Sequence, residues 1–176
     1  MTTARKTTKS KTTVRDVQPA LPGIVTTAVH SDDDLTLGID EAGRGPILGP
    51  LVLACVGLSG AAALALEKAG VADSKRFGAG PKAHAARSLL VPRILAVASY
   101  ARVHVVDVAE VDRRTRRGEL NRLEQEVATT LLDDAPPAAC IIADGERLFG
   151  PLRARFPQLN AVNRGEEAHV AVAAAS

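Results

Sequence analysis

The order of apolar and polar segments predicts a layered α/β domain that begins near Leu35. Runs that predict strands cover residues 35–40, 50–58, 100–108, 138–143 and 160–163. Segments that favour helices lie between and after them, at residues 61–69, 81–99, 110–117, 119–132 and 169–176. This order of two strands, a helix, a strand, helices, a strand and further α/β material predicts a mixed β-sheet flanked by helices.

Glycine and proline residues divide these helical segments. Gly70 ends the first one, Pro92 divides the segment 81–99, and Gly118 separates the next two. The segment 119–132 has apolar residues at helical spacing and ends before Pro136-Pro137. Its predicted buried stripe consists of Leu120, Leu123, Val127 and Leu131.

Residues 1–34 are predicted to form a disordered tail outside the folded domain, which then comprises residues 35–176. The first fifteen residues are basic, with no acid among them, and the run Asp32-Asp33-Asp34 follows. Segments rich in Thr and Lys with few large apolar residues bury too little surface to fold.

The segment Gly38 to Pro46 is the clearest candidate for a catalytic site in the sequence. Asp40 and Glu41 stand at the end of an apolar run, and a loop of small residues with Arg44 follows. A buried carboxylate pair is costly unless a cation neutralises it, and hard divalent cations prefer oxygen ligands. An arginine can pair with a phosphate, so the combination indicates phosphodiester chemistry.

Other interpretations of this segment are weaker or excluded. Gly43, Gly45 and Gly49 give a G-x-G-x-x-x-G spacing, one residue too long for a dinucleotide-binding loop, and no G-K-[S/T] follows for a P-loop. A solvated acidic turn is the simple alternative for the bare Asp-Glu dipeptide. Asp144-Gly145 after a strand is, taken alone, also more typical of a turn.

Composition narrows the function further. The 176 residues are 46% hydrophobic but only 2% aromatic, which argues against base stacking and favours contacts to a nucleic-acid backbone. The net charge is +2, and the cluster Arg113, Arg114, Arg116 and Arg117 offers phosphate-neutralising charge or a solvated helix face. Cys55 and Cys140 lie in apolar runs, so we expect two buried thiols, which indicate a reducing cytoplasm. No membrane span is expected.

The run GIDEAGRGPILGP, residues 38–50, resembles the signature of ribonuclease HII, which cuts RNA in RNA–DNA hybrids and at single ribonucleotides in DNA. Ala42 and Arg44 follow the HII pattern rather than that of ribonuclease HIII. Asp73-Ser74-Lys75 resembles the family's DSK segment, Asp144-Gly145 its DG element and Arg164-Gly165-Glu166 its KGD element. The resemblance covers residues 36–176.

This resemblance implies a ribonuclease H-like fold in which the first and fourth strands are neighbours. It assigns Asp40, Glu41 and Asp144 as catalytic metal ligands for two Mg²⁺ or Mn²⁺ ions. Gly43, Arg44 and Gly45 would read the ribose 2′-hydroxyl. Ser74 and Lys75 would lie near the substrate backbone. The expected substrate is an RNA–DNA hybrid or DNA with embedded ribonucleotides, bound by a monomer.

The end of the chain departs from the family pattern. The family's fourth carboxylate ligand belongs to an R-D pair that would follow Ser176, so we expect a chain truncated at its C-terminus. Two alternatives therefore remain open. One is a hybrid-binding module of the same fold that does not cut, and the other is a related nuclease such as a resolvase or integrase core.

Overall fold

A computed structural model of the chain describes residues 35–44, 49–72 and 74–176, so the predicted tail, residues 1–34, lies outside the described residues. The strands are β1 (Thr36–Ala42), β2 (Leu51–Leu58), β3 (Tyr100–Val106), β4 (Cys140–Asp144) and β5 (Leu159–Val162). The helices are α1 (Gly60–Lys68), α2 (Pro81–Ser88), α3 (Val91–Val97), α4 (Val108–Arg116), α5 (Leu120–Asp133), α6 (Glu146–Phe149), α7 (Gly165–Ala168) and α8 (Val170–Ala175). Short 3-10 turns occupy Ser74–Phe77 and Gly150–Ala154.

The strands form one mixed sheet in the order β3-β2-β1-β4-β5. Strand β1 pairs with β2 in the antiparallel sense and with β4 in the parallel sense. In the parallel pair, Ile39 lies opposite Ala143, so both strands reach the same sheet edge with an aspartate next in sequence. The predicted mixed α/β fold and the neighbouring first and fourth strands are therefore confirmed.

Helices cover both faces of the sheet. The long helix α5 packs its apolar side on one face against residues such as Leu37, Ile39 and Leu53. The predicted stripe on α5 is buried at Leu123, Val127 and Leu131. On the other face, α1, α3 and α8 form a second cluster with β2. The core consists mainly of aliphatic residues, as the low aromatic content requires.

Helix α8 contacts the sheet at Gly38 without any intervening side chain. A Cβ atom at position 38 would overlap the backbone of Ala171 and Val172. Only glycine allows two backbones to approach this closely. This contact fixes the start of α8 behind the strand that carries Asp40 and Glu41.

The sequence analysis located the five strands and the longer helices but missed the two shortest helices. Residues 81–99 form two helices, α2 and α3, and Pro92 is the second residue of α3, where no backbone donor is needed. The short helices α6 and α7 were not predicted. They follow left-handed residues, Gly145 at φ 109° and Arg164 at φ 61°, which periodicity cannot reveal. The domain boundary at Leu35 stays a prediction.

Both cysteines are free thiols. Cys55 is buried, and burial raises its pKa to about 12, whereas Cys140 is only half-buried, in contrast to the prediction that both are buried. Within the parts of the chain that the structure describes, no helix is long and apolar enough to cross a membrane.

We expect Gly38→Ala to lower the free energy of unfolding by about 3 kcal/mol, because the added methyl group would be forced into the backbone of α8. Urea denaturation measures this change. Gly60→Ala is the matched control, because a Cβ atom there meets nothing within 4 Å. Equal stability of the two variants would contradict the close contact between β1 and α8.

Candidate active site

Strand β1 delivers its two carboxylates to opposite faces of the sheet. Successive side chains along a strand alternate between faces, and Leu37 and Ile39 point into the core beneath α5. Glu41 continues this series, toward α5. Asp40 follows Gly38 on the other face, toward α8. The Oδ1 atom of Asp40 accepts a hydrogen bond of 2.8 Å from the backbone N–H of Glu41.

Asp144 ends the neighbouring strand β4 at the same edge. Its Oδ1 accepts a hydrogen bond of 3.0 Å from the backbone N–H of Gly165. A Cβ atom on Gly165 would lie 3.2 Å from the Cα of Asp144, so a small residue is needed for this approach. Gly145 takes a left-handed conformation and starts α6 directly after the aspartate. The segment matched to the KGD element thus orients the Asp144 carboxylate.

The electrostatics of Glu41 indicate that the predicted carboxylates share one region. The pKa of Glu41 is raised from 4.5 to about 8, mainly by burial and then by the negative charges of Asp40, Glu124 and Asp144, while Arg44 acts to lower it. The Oε2 atom of Glu41 is buried and has no hydrogen-bond donor. A proton or a cation is therefore needed to stabilise this carboxylate.

Two residues that the sequence analysis missed complete the site. Glu124 on α5 is completely buried, and its Oε2 lies 3.2 Å from a guanidinium nitrogen of Arg44. The Oδ1 atom of Asn121, one turn earlier on α5, accepts a hydrogen bond of 2.5 Å from the same guanidinium. Burial raises the pKa of Glu124, and Arg44 lowers it.

A signal for Glu124 was present in the sequence. The residue lies four positions after Leu120 and three before Val127, within the apolar stripe of α5. A charged residue at a predicted core position requires a partner, and Asn121 three positions earlier shares its helix face. Its partner on a loop far away in sequence could not be deduced from the helix pattern alone.

The donor set fits a hard divalent cation that completes its shell with other oxygens. Among the described residues, no three His, Cys, Asp or Glu side chains converge to enclose one ion. The alternation of Asp40 and Glu41 across the sheet accounts for this spread. Mg²⁺ is commonly bound by one or two carboxylates together with water and substrate phosphates. The orphaned oxygen of Glu41 offers such a ligand.

The remaining predicted site residues are less fully described. Gly43 has φ 90°, and a Cβ atom there would overlap the carbonyl oxygen of Pro50. Gly45 lies outside the described residues. Ser74 and Lys75 lie in a 3-10 turn, and their contact with substrate stays a prediction.

The predicted basic cluster is largely engaged in ion pairs within the protein. Arg114 pairs with Glu110, Glu119 and Glu126. Arg113 pairs with Glu110, and Arg116 lies 3.5 Å from Asp112. These contacts favour the interpretation of a solvated helix face.

An open cleft of about 530 Å³ adjoins the carboxylate edge. Its polar lining consists of Arg44, Asn121, Glu146, Arg147 and Asn163. The Asn163 side chain accepts a hydrogen bond of 3.2 Å from the backbone N–H of Glu146 and so ties β5 to the start of α6. The cleft gives a polar ligand access to the Arg44 side of the site.

Comparison with known proteins agrees with this geometry. The family model described as Ribonuclease HII matches residues 37–176. A ribonuclease HII of Pyrobaculum arsenaticum is 44% identical over 99 residues, which cover 56% of this chain and 46% of that protein. A ribonuclease HII of Caldivirga maquilingensis is 34% identical over 149 residues, which cover 82% of this chain and 68% of that protein. The matched part of the chain thus spans about half to two thirds of the length of these relatives.

A solved structure shares the fold. The ribonuclease H2 of Pyrococcus horikoshii OT3 superposes with a TM-score of 0.68 at 26% identity, over 80% of this chain and 68% of that one. The likeness extends over most of the described sheet and helices.

We expect the stability of the metal-free protein to fall as the pH rises from about 4.5 to about 8. The folded state keeps a proton on Glu41 in this range while the unfolded state has released it, so raising the pH favours unfolding. The measurement is thermal unfolding across this range. Glu41→Gln should flatten the slope, and Mg²⁺ should raise Tm most at the alkaline end. A slope unchanged in Glu41→Gln would contradict the assignment.

Proposed function

We propose, because the chain belongs to the ribonuclease HII family, that it is part or all of a metal-dependent endonuclease. Its substrates are the RNA strand of RNA–DNA hybrids and single ribonucleotides in DNA. The observation that carries the proposal is the meeting of Asp40, Glu41 and Asp144 at one sheet edge, beside the loop of Gly43 and Arg44. We further propose that it acts as a monomer in the reducing cytoplasm.

Asp40, Glu41 and Asp144 would hold the divalent ions, Mg²⁺ or Mn²⁺. When bound, such ions activate water and stabilise the leaving oxygen of a phosphodiester. The chain itself supplies the orientation of these ligands. The Gly165 amide donates a hydrogen bond to one oxygen of Asp144, and the Glu41 amide donates one to an oxygen of Asp40, so both carboxylates are held at the sheet edge.

The loop after β1 suits recognition of ribose. The 2′-hydroxyl distinguishes RNA from DNA locally, and an uncluttered backbone can approach it closely. Gly43 has no side chain, and its left-handed backbone presses against Pro50. We assign Gly43, Arg44 and Gly45 to substrate recognition, and Ser74 and Lys75 to contacts with the substrate backbone.

The cleft beside Arg44 provides a path for one strand of the duplex. Arg147 on α6 lines it, is exposed, and makes no ion pair with any residue in the described ranges. Its charge is available for a phosphate, in contrast to the arginines of α4. The pairing of Glu146 with the Asn163 side chain holds the helix that presents it.

We expect Asp40→Asn and Asp144→Asn each to abolish cleavage of an RNA–DNA hybrid in Mg²⁺ or Mn²⁺ while the fold and hybrid binding survive. Loss of a ligand charge weakens the metal site without changing side-chain volume. Cleavage of a labelled hybrid resolved on a denaturing gel measures this, and circular dichroism checks the fold.

Asp112→Asn is the matched control, because Asp112 is exposed on α4 and its substitution should leave cleavage unchanged. An all-DNA duplex should remain intact with every variant. Retained cleavage by Asp40→Asn would refute the metal-ligand assignment. Hybrid binding without cleavage by the unaltered chain would refute the catalytic proposal for these residues alone.

A further inference from the structure

Helix α5 places one charged side chain, that of Glu124, in the protein interior. Among the described residues, its negative charge is compensated only by Arg44, directly after β1. Glu124 is completely buried, and neither of its carboxylate oxygens receives a hydrogen bond of good geometry. The compensating contact is the guanidinium of Arg44, 3.2 Å from Oε2. A buried carboxylate with one cationic partner is strongly destabilised when that partner is removed.

Arg44 is held by a hydrogen bond and an ion pair to two residues on one helix face. Asn121 and Glu124 are three positions apart on α5 and therefore neighbours on its surface. The Asn121 oxygen binds one terminal nitrogen of the guanidinium, and the Glu124 carboxylate lies nearest the other. A planar guanidinium fork suits two such acceptors, which a lysine ammonium could not engage in the same way.

In this arrangement the Arg44 side chain is already bound to α5 before a substrate binds. Arg44 follows directly after Gly43, whose backbone is fixed against Pro50. The backbone directly after β1 is therefore held at two successive residues, at Gly43 beside Pro50 and at Arg44 on α5. An arginine that is held in this way contributes less as a phosphate ligand than as an anchor for the backbone beside it.

We propose that Glu124 and Asn121 are positioning residues that act through Arg44. Together the three residues form a loop clamp that holds the backbone of Gly43 and Arg44, directly after β1, in the conformation that reads the ribose. The inference rests on the proposed function, and it changes the role of Arg44 from a phosphate contact to an anchor. The clamp makes ribose recognition preorganised, which lowers the entropic cost of binding.

The first test is a double-mutant cycle in thermal unfolding, which needs no activity. Arg44→Met leaves the Glu124 carboxylate buried without its cation and should lower Tm. The double variant R44M/E124M replaces the pair with apolar side chains and should unfold at a higher temperature than R44M. Additive effects of the two substitutions would overturn the clamp.

The second test separates an anchor from a phosphate ligand. Binding of an RNA–DNA hybrid and of a DNA duplex of the same sequence is measured in the Asp40→Asn background, which prevents cleavage. Glu124→Met should reduce the preference for the hybrid about tenfold, and it should have no further effect once Arg44 is Met. An equal loss of affinity for both duplexes would overturn the proposal and make Arg44 a phosphate contact.

Kinetics of the otherwise unaltered chain add a third measurement. Glu124→Met should raise KM for hybrid cleavage about tenfold with kcat nearly unchanged, because the metal ligands remain in place. Glu124→Gln keeps the shape and an acceptor oxygen, so it should restore part of the loss. A fall in kcat with unchanged KM would contradict a role in recognition.

Glu126→Met is the matched control. Glu126 lies on the same helix and also pairs with arginines, but it faces solvent. It should change neither the hybrid preference nor KM. If the chain with Arg44 and Glu124 intact binds the hybrid no better than the DNA duplex, both the proposed function and the recognition role are refuted. The double-mutant cycle in thermal unfolding would still test whether Arg44 and Glu124 are coupled.

Discussion

The parallel pairing of β1 with β4 is the constraint on which the site depends. It joins two segments about a hundred residues apart in a register that opposes Ile39 to Ala143. The aspartates that follow these residues must then reach the same edge of the sheet. A shift of the register by one residue would send Asp144 to the face of the sheet opposite to that of Asp40, and the two aspartates would no longer lie side by side.

The site stores charge in the protein interior at a cost to stability. Glu41 and Glu124 are both acids whose pKa is raised by burial, and Arg44 is the cation that lowers the pKa of each. Apolar residues at these positions would stabilise the fold better, as is common where buried ion pairs are replaced. Their presence is understandable when a cation and a polyanionic substrate complete the balance of charge.

Periodicity and short motifs predicted the sheet and the main helices because these elements are long and strongly patterned. The strand ending at Asp144 and the stripe on α5 could be identified from local residues alone. Glu124 was missed because its role depends on an ion pair with Arg44, which is eighty residues away in sequence and contacts Glu124 only in the folded protein. The short helices α6 and α7 were missed for a different reason: each starts from a left-handed residue, and each has too few turns to show a period.

The ion pairs on α4 and α5 have a consequence for the sensitivity of the protein to ionic strength. Arg114 is surrounded by three acids, Arg113 shares one of them, Glu110, and Arg116 lies beside Asp112. Cations neutralised within the protein displace few counterions from a nucleic acid. Within the described residues, association with a duplex should therefore depend less on dissolved salt than the count of arginines suggests, and more on the match between two surfaces.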